Sequence, residues 1–304
     1  MAIERYRRWK NWEDCESNPL ISPKLPEWII ADPTFIPSNE SPDGKWHLFA
    51  HGILFGINHF VSSDGINWIN THQKVDSGMR PFLFKDKDDT FYLFYEKMVL
   101  LNSMIVVRKS NDLFHWSEFK AVLKPSLPWE GGIFKNAGNP CLVKAGDKFR
   151  LYYSCNSVFL PDCLFNEPKY IGFAESANIE GPYEKHTTPI ITPSKENPYR
   201  NFGAGAMKVL KLQEDWIGFN NGIYKDKYGR SRSAILLLYS TDGIEWQDIF
   251  NTPIIYPIFD RVWKRTFVYQ LDVRKVKDSY WLYYNARHGW FLGTECIGLA
   301  RLKL

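Results

Sequence analysis

Several polar side chains stand at the start of short apolar segments spaced at intervals along the chain. Asp32, Arg80 and Asn139 each precede a proline and a run of apolar residues, and Asp272 lies within a related segment. A carboxylate, a guanidinium and an amide that face one cavity can offer a hydrogen-bond partner to each hydroxyl of a polyhydroxylated ligand. The carboxylate can also act as a base or a nucleophile, which makes Asp32 the first catalytic candidate.

A second set of polar residues follows segments rich in aromatic side chains. Glu96 comes directly after residues 91–95. An aromatic wall disfavours the charged form of a carboxyl group, so Glu96 is the predicted acid. Arg80, Asn139 and Asp272 from the first set are predicted to bind substrate, together with His51, Asn156, Asn221, Asn285, Arg287 and His288.

These candidates occupy equivalent places in an internal repeat. Five aromatic segments share one pattern, at residues 45–49, 91–95, 149–153, 215–219 and 280–284. A short apolar segment precedes each of them, at residues 32–36, 80–84, 139–143, 205–209 and 269–273. A turn of Ser-x-Asp-Gly type that ends in tryptophan recurs at residues 60–68 and 238–246, and two less regular copies lie between them. Such turns tolerate a positive φ and connect antiparallel strands.

Five ordered copies of three short segments predict an all-β fold, a five-bladed β-propeller. We expect a single domain, residues 1–304, with blades at residues 31–70, 79–120, 137–186, 203–249 and 266–304. Residues 1–30 are expected to close the ring by covering the outer edge of the last blade.

Propeller geometry predicts where the polar residues meet. The first strand of each blade runs along a central channel, so the starts of these strands converge at one mouth. Asp32, Arg80, Asn139 and Asp272 should therefore form an inner ring. The second strand is antiparallel and returns to the same face, which places Glu96 and the remaining substrate-binding candidates in an outer ring.

The first blade carries a family resemblance. Asn18-Pro19-Leu20-Ile21, followed by the segment that begins at Asp32-Pro33, resembles the five-bladed glycoside hydrolases of families 43, 32, 68, 117 and 130. The resemblance implies that Asp32 is the general base of family 43 or the nucleophile of family 32. It also allows a structural calcium ion in the channel, which no residue spacing indicates, and no other cofactor or metal is predicted.

The rest of the catalytic set of these families is not matched. Where family 43 has a second Asp and then a Glu, the chain has Asn139 and the glycine-rich residues 203–205. Glu295-Cys296 resembles a Glu-Cys pair of family 32 but lies in a different blade. Glu96 is therefore the acid that the sequence favours, and Glu130 on a loop is the alternative.

The leading interpretation is a glycosidase with a carboxylate pair that acts on a small oligosaccharide or glycoside. A phosphorolytic enzyme of similar fold is a close alternative, because basic residues such as Arg80, Arg287 and His288 could hold phosphate. A propeller that binds sugar without catalysis is the alternative from another class, since a fold does not guarantee chemistry.

Composition excludes several classes of function. A net charge of +4 with both signs dispersed excludes the basic face of a nucleic-acid-binding protein. Neither a secretion signal nor an apolar run of membrane-spanning length is evident, so a cytoplasmic protein without membrane contact is expected. The five cysteines have no Cys-x-x-Cys spacing, which favours free thiols over a disulfide framework or a zinc site.

Overall fold

The computed structural model describes residues 2–133, 135–291 and 293–303. Helix among these residues is restricted to α1 (Ala2–Arg5) and to single 3-10 turns at Arg7–Lys10, Pro128–Glu130 and Val262–Lys264. The remaining regular structure is strand, so the all-β prediction is confirmed. Within the same residues no helix is long and apolar enough to cross a bilayer.

The strands form consecutive antiparallel groups along the chain. A short strand, β1 (Glu13–Asp14), comes first. The first sheet contains β2 (Ala31–Ile36), β3 (Trp46–Gly52), β4 (Gly56–Ser62) and β5 (Ile69–Asp76). The second sheet contains β6 (Met79–Lys85), β7 (Phe91–Val99), β8 (Asn102–Ser110) and β9 (Lys120–Leu123). The third sheet contains β10 (Ala137–Ala145), β11 (Lys148–Leu160), β12 (Phe165–Ser176) and β13 (Glu184–Lys185).

The last strands belong to one larger sheet with two antiparallel halves. One half contains β14 (Gly203–Leu212), β15 (Asp215–Lys225), β16 (Ser231–Ser240) and β17 (Gln247–Asp248). The other half contains β18 (Phe267–Val276), β19 (Ser279–Arg287) and β20 (Glu295–Lys303), with β1 paired to β20. A single parallel pair, Ser233 with Phe267, joins the two halves.

The first strands of successive groups lie side by side. β2 contacts β6, β6 contacts β10, β10 contacts β14, β14 contacts β18, and β18 contacts β2. The apolar core accordingly lies between neighbouring groups, as with Phe49 and Tyr95 between the first two sheets and Phe219 and Leu271 between the last two groups. This arrangement brings the starts of all five first strands to one region.

The repeated Ser-x-Asp-Gly turn attaches one group of strands to the next. Ser240 Oγ accepts hydrogen bonds from the backbone N–H groups of Asp242 at 3.2 Å and Gly243 at 2.8 Å. Gly243 has a φ of 74°, which a residue with a side chain adopts less readily. In the neighbouring sheet Tyr152 donates its hydroxyl to the carbonyl of Gly243 at 2.8 Å, and Arg150 donates to that of Asp242 at 2.7 Å. The turn therefore fixes the orientation of adjacent sheets.

Candidate active site

A cavity of about 540 Å³ opens where the first strands converge. Of the residues proposed from sequence, those that line it are Asp32, His51, Arg80, Asn139, Asn221, Asn285 and Arg287. The residues that do not line it are Glu96, Asn156, Asp272 and His288. Two further glutamates, Glu167 and Glu295, line the same cavity.

β-Bulges turn the residues at the start of the first strands toward this cavity. The register of all five first strands shifts at the equivalent point, for example between Ala31 and Thr34 in β2. The residue inside the bulge has a φ of 52° at Asp32, 55° at Arg80 and 50° at Asn139. Left-handed backbone at non-glycine residues is strained and is concentrated at functional sites, and a bulge changes the direction of a side chain.

Asp32 is buried and held by two neighbours. Its Oδ2 lies 3.1 Å from Nδ1 of His51, and its backbone N–H donates to Oδ1 of Asn285 at 3.1 Å. Burial by itself would raise the pKa of Asp32. The hydrogen bond and charge of His51, with the charges of Arg80 and Lys208, outweigh burial and lower that pKa below its ordinary value. Asp32 is thus kept as a carboxylate, which suits a base or a nucleophile.

Glu96 does not lie where the sequence predicts it, because it is not among the residues that line the cavity. Glu96 is buried behind the cavity wall, where its Oε2 accepts a hydrogen bond from Nη1 of Arg80 at 2.7 Å. The same oxygen packs against Gly138, where a Cβ atom would come within 1.8 Å of it. Glu96 therefore orients Arg80, which does line the cavity, and has no direct route to a substrate. The aromatic segment before Glu96 indicated burial correctly but could not show the ion pair.

Amide side chains complete the polar wall. Asn285 connects the backbone of Asp32 to the carboxyl group of Glu295, since its Oδ1 accepts from the backbone N–H of Asp32 and its Nδ2 donates to Glu295. Asn139 Oδ1 accepts from Nε2 of Gln270 at 3.1 Å, and Gln270 also lines the cavity. Asn221 donates to a backbone carbonyl at 2.8 Å and is similarly fixed. These amides are preorganised to meet hydroxyl groups.

Asp272 also differs from its predicted place. Its carboxylate accepts hydrogen bonds from Oγ1 of Thr34 at 2.8 Å and from the backbone of Phe35 at 3.0 Å, and Arg274 lies 3.3 Å away. Asp272 on β18 thus ties the last group of strands to β2. The strand alternation of β18 turns this side chain toward the neighbouring sheet and away from the mouth.

Asn156 and His288 lie outside the cavity lining as well. Asn156 donates to the carbonyl of Trp129 at 3.1 Å, and His288 Nδ1 accepts from the backbone N–H of Thr294 at 3.2 Å. Asn156 lies within β11 and is held by the 3-10 turn that precedes β10. His288 directly follows β19 and is held by the loop before β20.

Glu130, the alternative acid, is fully buried in a separate cluster. Its carboxylate accepts hydrogen bonds from Nζ of Lys185 at 2.7 and 2.8 Å and from the hydroxyl of Tyr153 at 2.7 Å. It does not line the cavity, and its partners make it a structural ion pair.

Glu167 and Glu295 have the electrostatic character expected of an acid. The pKa of Glu167 is raised to about 8, chiefly by burial and further by the negative charges of Glu295 and Asp32, while the charges of Arg80 and Arg287 oppose this shift. Burial likewise raises the pKa of Glu295 to about 7, with Arg287 opposing and Asp32 reinforcing the shift. Both groups therefore hold protons near neutral pH, whereas Asp32 does not.

Glu167 reaches the cavity because β11 and β12 are unusually long. Their pairing continues from Ser157 with Pro168 to Leu160 with Phe165, and this extension carries Glu167 over the mouth. Among the described residues, no hydrogen bond engages its carboxyl oxygens, which leaves them free for a ligand. The sequence signal that could have found Glu167 is the length of the apolar and aromatic run in the third repeat.

In the described part of the chain, no group of three or more His, Cys, Asp or Glu side chains is arranged to hold a metal ion. The five cysteines are unpaired, and four of them are buried.

The chain is similar in sequence to one family and in fold to several solved structures. A family model described as glycosyl hydrolases family 43 matches residues 67–248. No curated protein matches the sequence. The catalytic domain of the GH62 α-L-arabinofuranosidase of Coprinopsis cinerea is similar, with a TM-score of 0.69 at 14% identity over 95% of this chain and 96% of that chain.

Two other solved structures are similar over comparable lengths. An N-acetylgalactosamine deacetylase from F. plautii, in complex with blood group B trisaccharide, has a TM-score of 0.67 at 12% identity over 96% of this chain and 93% of that chain. A glycosyl hydrolase from Bacteroides ovatus has a TM-score of 0.66 at 14% identity over 95% and 93%. At these identities the likeness shows a shared fold.

Proposed function

The chain belongs to glycosyl hydrolases family 43 and is a glycosidase, and we propose that it cleaves the glycosidic bond of a small oligosaccharide or glycoside in the cavity around Asp32. The observation that carries this proposal is the division of pKa values in one cavity. Asp32 has a lowered pKa, whereas the pKa of Glu167 is raised to about 8. Glycosidases of the common two-carboxyl type need such a pair.

The proposed scaffold is one five-bladed propeller. Five groups of strands, with first strands that contact each other in cyclic order, support this reading. The pairing of β1 with β20 supplies the fourth strand of the last group from the start of the chain. Closure through this strand would leave that group without an unpaired outer edge at β20.

Glu167 is the proposed general acid. As the bond between the anomeric carbon and the glycosidic oxygen breaks, Glu167 gives its proton to that oxygen. Asp32 either takes a proton from the water that attacks the anomeric carbon or attacks this carbon itself. The negative charge that Glu295 acquires above a pH of about 7 helps Glu167 to keep its proton.

The remaining polar residues are proposed to position the sugar. Arg80, oriented by Glu96, offers the guanidinium N–H groups that this ion pair does not use. Asn139, Asn221 and Asn285 line the cavity and offer amide groups to hydroxyls.

A screen of chromogenic furanosides and pyranosides, with and without inorganic phosphate, tests this function. We expect hydrolysis without phosphate, and we expect Asp32→Asn to lower kcat/KM by roughly 10²- to 10⁴-fold. Asp278→Asn is a matched control, because Asp278 is exposed in the turn between β18 and β19, at the strand ends remote from the cavity. Turnover that requires phosphate would favour phosphorolysis, and sugar binding that is unchanged in Asp32→Asn without product release would favour a binding protein.

A further inference from the structure

Arg287 differs from the other buried arginines. Arg150, Arg200 and Arg287 are buried to a similar degree. Arg150 contacts Glu175 at 2.7 Å and Arg200 contacts Asp248 at 3.1 Å. Arg287 has no carboxylate within 4.0 Å among residues 2–133, 135–291 and 293–303. A buried charge without a counter-ion is costly, so a site that retains one generally meets its counter-ion in a ligand.

The guanidinium of Arg287 is held in place within the cavity wall. Its Nη2 donates to the carbonyl of Phe291 at 3.2 Å, and its Cζ lies 5.0 Å from the centre of the Phe165 ring. Nε is buried without a partner among the described atoms, and no hydrogen bond there engages Nη1. Arg287 thus has fixed geometry and unused donors.

Tyr269 presents a second unused donor in the same wall. Its ring stacks on Phe267 with a centroid distance of 5.1 Å and an interplanar angle of 8°, which fixes the direction of the hydroxyl. The hydroxyl is buried and has no hydrogen-bond partner in the described part of the chain. A buried polar group of this kind costs free energy unless a ligand satisfies it.

The nearby glutamates act on Arg287 only from beyond ion-pair distance. Burial raises the pKa of Glu167 to about 8 and that of Glu295 to about 7, so much of their population is protonated. Neither lies within ion-pair distance of Arg287. Among the described residues, Arg287 therefore has no carboxylate close enough to form an ion pair with it.

We propose that the substrate is an acidic sugar, whose carboxylate is bound by Arg287 and receives a hydrogen bond from Tyr269. A guanidinium and a hydroxyl donor together match the acceptors of a carboxylate. This inference rests on the proposed glycosidase function of the same cavity, and it specifies the class of substrate.

Binding tests the inference without reference to catalysis. Thermal unfolding of the full chain is measured with a panel of uronic acids, with their neutral parent sugars and with inorganic phosphate. We expect uronic acids to raise the unfolding temperature more than the parent sugars, and Arg287→Gln to remove the difference. Arg200→Gln, a buried arginine outside the cavity, should retain it. Equal shifts for acidic and neutral sugars, or a shift with phosphate alone, would overturn the inference.

Cleavage gives a second readout with matched 4-nitrophenyl uronides and glycosides. We expect Arg287→Gln to lower the ratio of kcat/KM for the uronide over the neutral glycoside by roughly 10- to 100-fold, and Tyr269→Phe to lower it by a smaller factor. Arg287→Lys should restore part of the preference, because it keeps the charge but loses the planar fork.

The two proposals fail in different ways. Faster cleavage of neutral glycosides than of uronides by the wild type would overturn the acidic-sugar assignment and leave the glycosidase standing. Binding of uronic acids through Arg287 without cleavage of any glycoside would support the assignment and contradict the proposed hydrolysis.

Discussion

The carboxyl groups of one cavity differ because each has different neighbours. Asp32 is surrounded by His51, Arg80 and Lys208, which favour its charged form despite burial. Glu167 is partly exposed in the cavity, and its partial burial, together with the charges of Glu295 and Asp32, disfavours its charged form. The difference in pKa supports the proposed roles of base or nucleophile for Asp32 and of acid for Glu167.

Glu167→Gln should remove the alkaline limb of the pH–rate profile. The general acid has to be protonated, so kcat/KM of the wild type should fall as pH rises through about 8. The low pKa of Asp32 should keep the acidic limb below the range of an ordinary aspartate. In the variant we expect a loss of roughly 10²- to 10⁴-fold on substrates with poor leaving groups, and no fall near pH 8.

Glu96→Gln is the control for that measurement. It should lower kcat/KM because Arg80 loses its charged partner, but the alkaline limb should persist. If the limb disappears in Glu96→Gln and survives in Glu167→Gln, the assignment of the acid is reversed.

The raised pKa of Glu167 also predicts a pH dependence of stability. Between pH 4.5 and about 8 the folded protein holds a proton that an unfolded glutamate has released. This contribution to the free energy of unfolding therefore falls as pH rises through that window. Glu167→Gln should gain stability relative to wild type between pH 5 and pH 8, as measured by urea unfolding. Exposed Glu118→Gln is the matched control, and a difference for Glu167→Gln that does not change with pH would contradict the assignment.

At the level of elements, the bulges of the first strands position the site. In β2, β6 and β10 the bulge inserts two residues without partners in the neighbouring strand, and the first of them, Asp32, Arg80 or Asn139, lines the cavity. Asp32, Arg80 and Asn139 all precede proline, which cannot donate to the ladder and suits a bulge. The X-Pro sequence thus favours the bulged backbone that is observed at these three positions.

Gly138→Ala tests the support behind the bulge of β10. The new Cβ would lie 1.8 Å from Oε2 of Glu96, so Glu96 would have to move and Arg80 with it. We expect a loss of about 1–3 kcal/mol in the free energy of unfolding and a fall in kcat/KM. Gly132→Ala, on the loop before β10, meets no atom within 4 Å and should change stability by less than about 0.5 kcal/mol. If the two substitutions had equal effects, the packing of Glu96 against Gly138 would not be required for stability or for activity.

On the scale of the whole molecule, a partly buried charge cluster attaches β1 to β19 and to the 3-10 turn before β18. Asp14 on β1 accepts a hydrogen bond from the hydroxyl of Tyr284 at 2.6 Å and forms ion pairs with Lys264 and Arg261, the latter at 3.2 Å. Lys264 is itself buried. The start of the chain is therefore part of the same cooperative structure as β19 and β20.

Asp14→Asn should destabilise the whole chain. Loss of the carboxylate charge leaves Lys264 buried without its partner, which costs about 3–5 kcal/mol. Thermal and urea unfolding should show one transition at lower temperature and lower urea concentration. Glu13→Gln on the same strand is exposed and should have little effect. A separate early transition confined to the N-terminal residues would contradict a closing role for β1.

The sequence by itself determined the all-β class, the order of the repeated strands and the residues that stand at their starts. These features depend on short-range patterns, because strand periodicity, turn residues and X-Pro pairs act over a few positions. Asp32, Arg80 and Asn139 could be found in this way, since the chain order of the repeats already implies that their strands meet.

Only the tertiary structure decided which carboxyl groups share the cavity and in which charge state. Glu167 enters through the length of a hairpin, Glu295 through the last strand, and Glu96 is withdrawn by its pairing with Arg80. A pKa depends on burial and on charges contributed by distant segments. A linear pattern does not contain these distances, so the sequence alone could not show which carboxyl groups line the cavity.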